Sequence, residues 1–268
     1  YEKQTGNKWD TRYKLDINKW DTRHKLDIYK DLKKNNNKIT VFSGPSSLVS
    51  KNYSTLPLSG QSNLETILCN ENGYYSIYQS DRYGFNNPDA EWDKKEIEYL
   101  LVGDSYTHGA CVNRPNDISS VLRNLSNKSV LNLGMNGNGP LIEYATLREY
   151  LNTKVKKVLW IYYENDLENL EEEKTNNILI NYLKDLNFTQ NLKLKQNDID
   201  SLLSNLVKER VRERERVRER ERERNTFKFK LITFTKIYNT RHSILLALAP
   251  APAPAPATAP ATAPAFKK

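Results

Sequence analysis

Tyr99-Leu-Leu-Val-Gly-Asp-Ser-Tyr-Thr-His-Gly109 is the stretch on which the fold turns. Its apolar front belongs to a compact run over 97–102, of a length that suits a buried strand. The run ends in Gly103-Asp104-Ser105, a small, polar exit into a helix start. A strand that delivers Gly-Asp-Ser in this way places the Ser105 hydroxyl at an exposed sheet end. Backbone N–H groups there can meet a developing oxyanion. Serine at that position is also a good helix N-cap, and this stretch by itself leaves both roles open.

The pattern repeats outward. Residues 118–125 read as a helix, with Asn116 or Asp117 placed to cap it and Pro115 just upstream. A second apolar run over 130–133 ends at Gly134. Pro140 then opens a helical pattern over 141–151. A third apolar run over 158–163 is closed by Glu164-Asn165-Asp166. Short apolar strands alternating with helices predict an α/β domain around a central parallel sheet. Such sheets bind ligands outside the carboxyl ends of their strands, and all three candidate site loops fall there.

The three loops together resemble the SGNH/GDSL hydrolase family of esterases and acyl hydrolases. Gly103-Asp104-Ser105-Tyr-Thr-His-Gly109 is similar to the first block of that family. Asn132-Leu-Gly-Met-Asn-Gly137 is similar to the second, with Gly137 as its glycine and Gly134 as second choice. Glu164-Asn165-Asp166 is similar to the third. The match covers roughly residues 80–185, and SDRYGFNNPDAEWD and NGPLIEYATLREYL resemble a marine bacterial subgroup. The resemblance implies a three-layer α/β/α flavodoxin-like sandwich. It also implies Ser105 as nucleophile, with Asn165 and Gly137 serving the oxyanion. The implied substrate is an ester of a small molecule, glycan or lipid, hydrolysed or passed to an acyl acceptor without a cofactor.

Two features depart from the family pattern. Tyr163-Glu164 stand where a glycine usually precedes Asn-Asp, and no D-x-x-H occurs anywhere. The histidines are His24, in the repeat described below, His108, three residues after Ser105, and His242 in Thr-Arg-His-Ser. A base oriented by a carboxylate normally arrives from a loop other than the nucleophile's, which makes His108 at most a helper beside Asp104 and Gly103. In the family the His-bearing block comes last. The expectation is therefore a sandwich incomplete at its C-terminal end, with that block lost or lying beyond Lys268 and activity crippled. The alternative is a non-catalytic interaction module. The resemblance further implies an extracytoplasmic site, with any membrane anchor upstream of Tyr1.

The flanks explain the bulk composition. Of 268 residues, 41 are Lys or Arg and 33 Asp or Glu, a net charge of +8 that invites a nucleic-acid reading. Residues 1–207 carry a net of −1, the run 208–224 a net of +3, and residues 225–268 a net of +6 with no acidic residue. The basicity thus lies outside the site region. In the 208–224 run six glutamates interleave with the arginines and no aromatic supplies stacking, so no nucleic-acid partner is expected. An alternating AG dinucleotide repeat would encode the same run without selection for binding.

Five segments follow: an approach over 1–90, the α/β domain over 91–207, the Arg/Glu run over 208–224, an amphipathic piece over 225–248 and a Pro-Ala spacer over 249–268. The approach opens with a tandem repeat, NKWDTRYKLDI then NKWDTRHKLDI, over 7–28. Two copies are too few for a solenoid. Residues 38–42 read as a short strand and 43–88 as loop. The Arg/Glu run, with only two valines, is expected as a solvated helix or as disorder. No window of about 18 apolar residues suits a membrane span. Two cysteines, Cys69 and Cys111, exclude a disulfide-dense scaffold and a four-cysteine zinc site, and leave their own pairing open. No metal site is expected.

Overall fold

The computed structural model describes residues 20–51 and 53–248. The first copy of the tandem repeat and the Pro-Ala spacer lie outside the described residues. The chain divides into two compact units, Tyr1–Arg214 and Glu215–Lys268. In chain order the elements are α1 (Lys25–Lys33), β1 (Ile39–Val41), β2 (Glu65–Ile67), β3 (Ile77–Gln79), β4 (Ile97–Gly103), α2 (Ser105–His108) and α3 (Ile118–Ser126). They continue with β5 (Val130–Asn132), α4 (Pro140–Tyr150), β6 (Val155–Ile161), α5 (Asp166–Glu173), α6 (Asn177–Lys184) and α7 (Gln196–Leu248).

The fold is mixed α/β. Its main sheet is parallel, with the order β5-β4-β6. Leu100 pairs with Leu131 on one side and Val158 on the other, and Gly103 pairs with Ile161. β4 comes first in the chain yet lies in the middle, so the connections diverge from its carboxyl end. That divergence is a topological switch point, where open α/β sheets form their binding crevice. Gly103-Asp104-Ser105 leaves β4 at this point. Gly103 is required by close approach, since a Cβ there would lie 2.2 Å from Thr107 Oγ1 and 2.5 Å from the Ile161 carbonyl oxygen.

β4 is an apolar run because both its faces are covered: Ile97, Leu100, Leu101 and Val102 are buried. β6 differs. Val158, Leu159 and Trp160 remain 39%, 37% and 43% exposed on a strand paired along one edge only. It also begins and ends earlier than its apolar text suggests, because the register with β4 recruits Val155-Lys156-Lys157. Lys157 Nζ donates to Glu98 Oε1 at 2.6 Å across that ladder.

The segment before β4 is more than an approach. It forms a second sheet in which β1 runs parallel to β2 and β2 antiparallel to β3. Three-residue strands are too short to show a period, which is why 43–88 reads as loop. Leu48, Leu56, Leu58 and Phe85 join Leu100, Leu131, Ile142 and Tyr150 in one hydrophobic cluster, so the site domain draws core residues from both sides of residue 91. Asp81 fixes the junction. It accepts from the backbone N–H of Tyr83 and Phe85, both at 2.9 Å, from Asn87 Nδ2 at 2.9 Å and from Trp92 Nε1 at 2.7 Å. The SDRYGFNNPDAEWD text is the script of this hub.

Ile199, Leu203 and Leu206 at the start of α7 are buried in the same cluster. The Arg/Glu run is helical, and its first part is not purely solvated. Val211 packs on the smaller cluster of Leu26, Ile28, Ile39, Val41 and Ile67. Arg210 donates to Ser43 Oγ at 2.8 Å and to Ser47 Oγ at 3.1 Å. One valine suffices there because the receiving patch is small.

Candidate active site

A cavity of about 560 Å³ opens at the carboxyl end of β4, lined by Ser105, Tyr106, Asn116, Asp117, Asn136 and Asn165 among others. Ser105 is half-buried at the first position of α2, and Asp104 is its N-cap. The capping role that competed for Ser105 thus belongs to its neighbour, whose Oδ1 accepts from the Tyr106 N–H at 3.2 Å. The Ser105 hydroxyl is left to face the cavity, donating to Asp104 Oδ2 at 3.1 Å. Asn165 Nδ2 donates to that same oxygen at 3.3 Å, across 61 residues of chain.

Asn165 reaches this place from the loop after β6. Asp166, buried, accepts from the Tyr163 N–H at 2.8 Å and closes the turn that carries the amide. Burial raises the Asp166 carboxyl above the usual carboxylate range, and the Asp104 charge adds to the effect. Two more buried acids hold the neighbouring chain. Glu173 accepts from the N–H groups of Gly139 at 2.6 Å and Leu141 at 2.8 Å, and burial lifts it to about 7. Glu143 accepts from Trp160 Nε1 at 2.6 Å, and burial lifts it to about 8.

His108 is not brought to Ser105. The ring is fully buried between Phe42 and Tyr78, with centroids 5.0 and 5.1 Å away. Nδ1 accepts from the Asn136 N–H at 3.0 Å, so the proton sits on Nε2 in the neutral ring. Burial lowers its pKa to about 3, which keeps the ring neutral at any physiological pH. His108 positions the loop after β5 rather than accepting a proton from Ser105. His24 caps α1, its Nδ1 accepting from the Leu26 N–H at 3.2 Å. His242 falls on α7.

Within the second block the two glycines do different things. A Cβ on Gly134 would lie 2.6 Å from Thr107 Cβ and from the His108 nitrogen, so Gly134 lets the β5 loop press on α2. Gly137 takes a left-handed φ of +83°, and a Cβ there would meet Ser46 Oγ at 3.0 Å. The member of this block that lines the cavity is Asn136.

Sequence reading did not anticipate several cavity residues. Tyr106 and Tyr163 pack at the rim with ring centroids 4.9 Å apart, and both are about half exposed. Asp117 caps α3, accepting from Ser119 Oγ and, at 3.0 Å, from the Ser120 N–H. Burial would push its carboxyl up, but those hydrogen bonds outweigh it and hold the group low. Glu71 arrives through a disulfide between Cys69 and Cys111, which ties its loop to the one after α2. Asn72 Nδ2 reinforces the tie, donating to the Cys111 carbonyl at 3.0 Å. The Asn116-Asp117 cap signal was legible; the Glu71 placement depends on a long-range cross-link that local text does not encode.

Among the described residues, no group of three or more His, Cys, Asp or Glu side chains is placed to hold a metal ion. Compared with family models, curated proteins and solved structures, the chain finds no match.

Proposed function

We propose that the chain carries the nucleophile and oxyanion half of an SGNH-type serine esterase or acyltransferase site. Ser105 attacks an ester carbonyl, and the Asn165 amide meets the oxyanion as the carbonyl oxygen gains charge. The observation that carries this reading is the convergence of Ser105 and Asn165, two residues that line the cavity from different strand ends, on one buried oxygen, Asp104 Oδ2. As a helix cap Asp104 is satisfied through Oδ1 by the Tyr106 N–H, so capping alone needs no amide from a second loop on Oδ2. The three-layer sandwich belongs to the same proposal. Its support is the parallel sheet with a crevice at the switch point, together with the exposed apolar faces of β6, which suit cover by a further layer.

The proton acceptor is where the chain departs from an efficient hydrolase. Ser105 Oγ hydrogen-bonds a carboxylate, and a carboxylate is too weak a base to ionise a serine hydroxyl well. General base catalysis ordinarily contributes about 10²- to 10⁴-fold, so the expected reaction is slow acylation. The same observation favours a second reading, a binding module that retains the cavity without turnover. A fluorophosphonate probe separates them. Slow, one-to-one labelling that disappears in Ser105→Ala supports the esterase reading. No labelling of a folded protein supports the binding module.

A further inference from the structure

The second unit presents an unusual helix face. Beyond Glu215 the backbone remains helical to Leu248. Phe227, Phe234 and Tyr238 are 69%, 66% and 62% exposed. At i, i+7 and i+11 they fall within about 40° of one another around the axis, placing three aromatic rings along one side of the helix. Ile237 is exposed on the flank of this line, and Phe229 is exposed on the far side of the helix. Water is a poor partner for so much apolar surface, and soluble proteins seldom leave such a patch uncovered.

Charge selects the partner. Residues 225–248 hold Lys228, Lys230, Lys236 and Arg241, and no acidic residue anywhere. A second copy would bring four like charges against four, with no carboxylate in the segment to pair them, and like charges across a helix seam destabilise it. An anionic surface meets the opposite condition. Lysine stems can lie along the apolar face while the ammonium groups reach outward to phosphate or carboxylate headgroups. No helix of the described residues is long and apolar enough to cross a membrane, so the fitting geometry is a helix lying in the interface plane.

From this combination we infer that the helix over 225–248 is an interfacial segment that binds anionic lipid surfaces, with the Phe227–Phe234–Tyr238 stripe entering the acyl boundary. This does not depend on the chemistry of Ser105. Aromatic rings suit that depth, and basic residues near the surface add electrostatic attraction.

The test uses the full chain and sedimentation with vesicles. Phosphatidylcholine vesicles containing phosphatidylserine at roughly one lipid in three should carry the protein down, and phosphatidylcholine alone should not. Replacing Lys228, Lys230 and Lys236 with Gln should weaken partition about a hundredfold, at roughly fivefold per charge. Phe227→Ser with Phe234→Ser should abolish it while leaving far-ultraviolet circular dichroism intact. Equal binding to neutral vesicles, or unchanged binding by both variants, overturns the inference. So does self-association in sedimentation equilibrium that the double Phe variant dissolves, or tighter binding to single-stranded RNA than to anionic vesicles.

Discussion

Ser105 and Asn165 share a single acceptor: the hydroxyl and the amide both donate to Asp104 Oδ2, at 3.1 and 3.3 Å. Asp104 therefore holds the Ser105 hydroxyl and the Asn165 amide against one oxygen. On the proposed esterase reading, an ester would have to take the amide from that carboxylate, and Asn165 would matter more as charge develops than at binding. Asn165→Ala should slow fluorophosphonate labelling of Ser105 by about 10²-fold, the usual effect of losing one oxyanion donor. An unchanged rate would remove Asn165 from the chemistry.

On the same proposal Asp104 acts mainly by positioning, and its loss should have two consequences. Asp104→Ala deletes the cap of α2 and leaves Ser105 and Asn165 without their common acceptor. We expect a stability loss of about 1–2 kcal/mol by denaturant unfolding. Labelling should become slower and heterogeneous. If imidazole is added, the wild-type protein should hydrolyse an activated acetate ester severalfold faster than Ser105→Ala under the same conditions. That would place the deficit at the base; equal rates would place it at the nucleophile.

The parts of this site that were legible in sequence are those fixed by local rules. Gly103-Asp104-Ser105 follows a strand whose four apolar residues are buried on both faces, and such a run declares itself. The caps at Asn116-Asp117 and the Pro140 helix start are equally local. What local text did not reveal was set by distant partners. β2 and β3 exist because three residues of each find a neighbour, Ile67 opposite Ile77, and not because of any period. His108, three residues after Ser105, reads in sequence as at most a helper of the site. In space Phe42 and Tyr78 enclose it, one ring from the end of the short strand read over 38–42 and the other from the stretch that reads as loop.

The buried acids predict an unusual pH profile. Burial raises Glu143 to about 8, Glu173 to about 7 and Asp81 to about 6, all above their unfolded values. The native state then holds protons that the unfolded chain releases. Their stabilising contribution is full below about pH 4 and is lost as pH rises toward about 8. Glu149 acts oppositely. Burial would raise it, but bonds from Tyr182, Thr189 and two backbone N–H groups lower it, so its contribution is lost in acid. Melting temperature should peak near pH 4–5 and fall toward pH 9. Glu143→Gln should flatten the alkaline limb by an amount on the order of 4 kcal/mol, and a parallel limb would refute the assignment.

Glycine substitutions separate packing from site geometry. Gly134→Ala forces a Cβ to 2.6 Å from Thr107 and the His108 backbone, so it should cost about 1–3 kcal/mol and slow labelling by moving α2. Gly137→Ala meets only Ser46 Oγ at 3.0 Å, and its cost is the left-handed φ of +83°. That is about 1–2 kcal/mol. It keeps its N–H, and labelling should stay within severalfold of wild type. The reverse ranking would show that the β5 loop does not rest on α2.

The Cys69–Cys111 bridge ties stability to the shape of the cavity. It closes a loop of 42 residues, for which chain entropy predicts about 4 kcal/mol of stabilisation. Its two half-cystines flank segments that bring Glu71, Ala110 and Val112 to the cavity. Breaking it should therefore act twice. Replacing both cysteines by Ser, or adding reductant, should lower the denaturant midpoint, and the labelling rate of Ser105 should change because one wall has become loose. Asn72, whose Nδ2 donates to the Cys111 carbonyl at 3.0 Å, offers the control. Asn72→Ala removes that hydrogen bond and keeps the covalent tie, so it should shift stability by only about 1 kcal/mol. If the reduced protein matches Asn72→Ala in midpoint and labels like the oxidised form, the bridge does not set the wall.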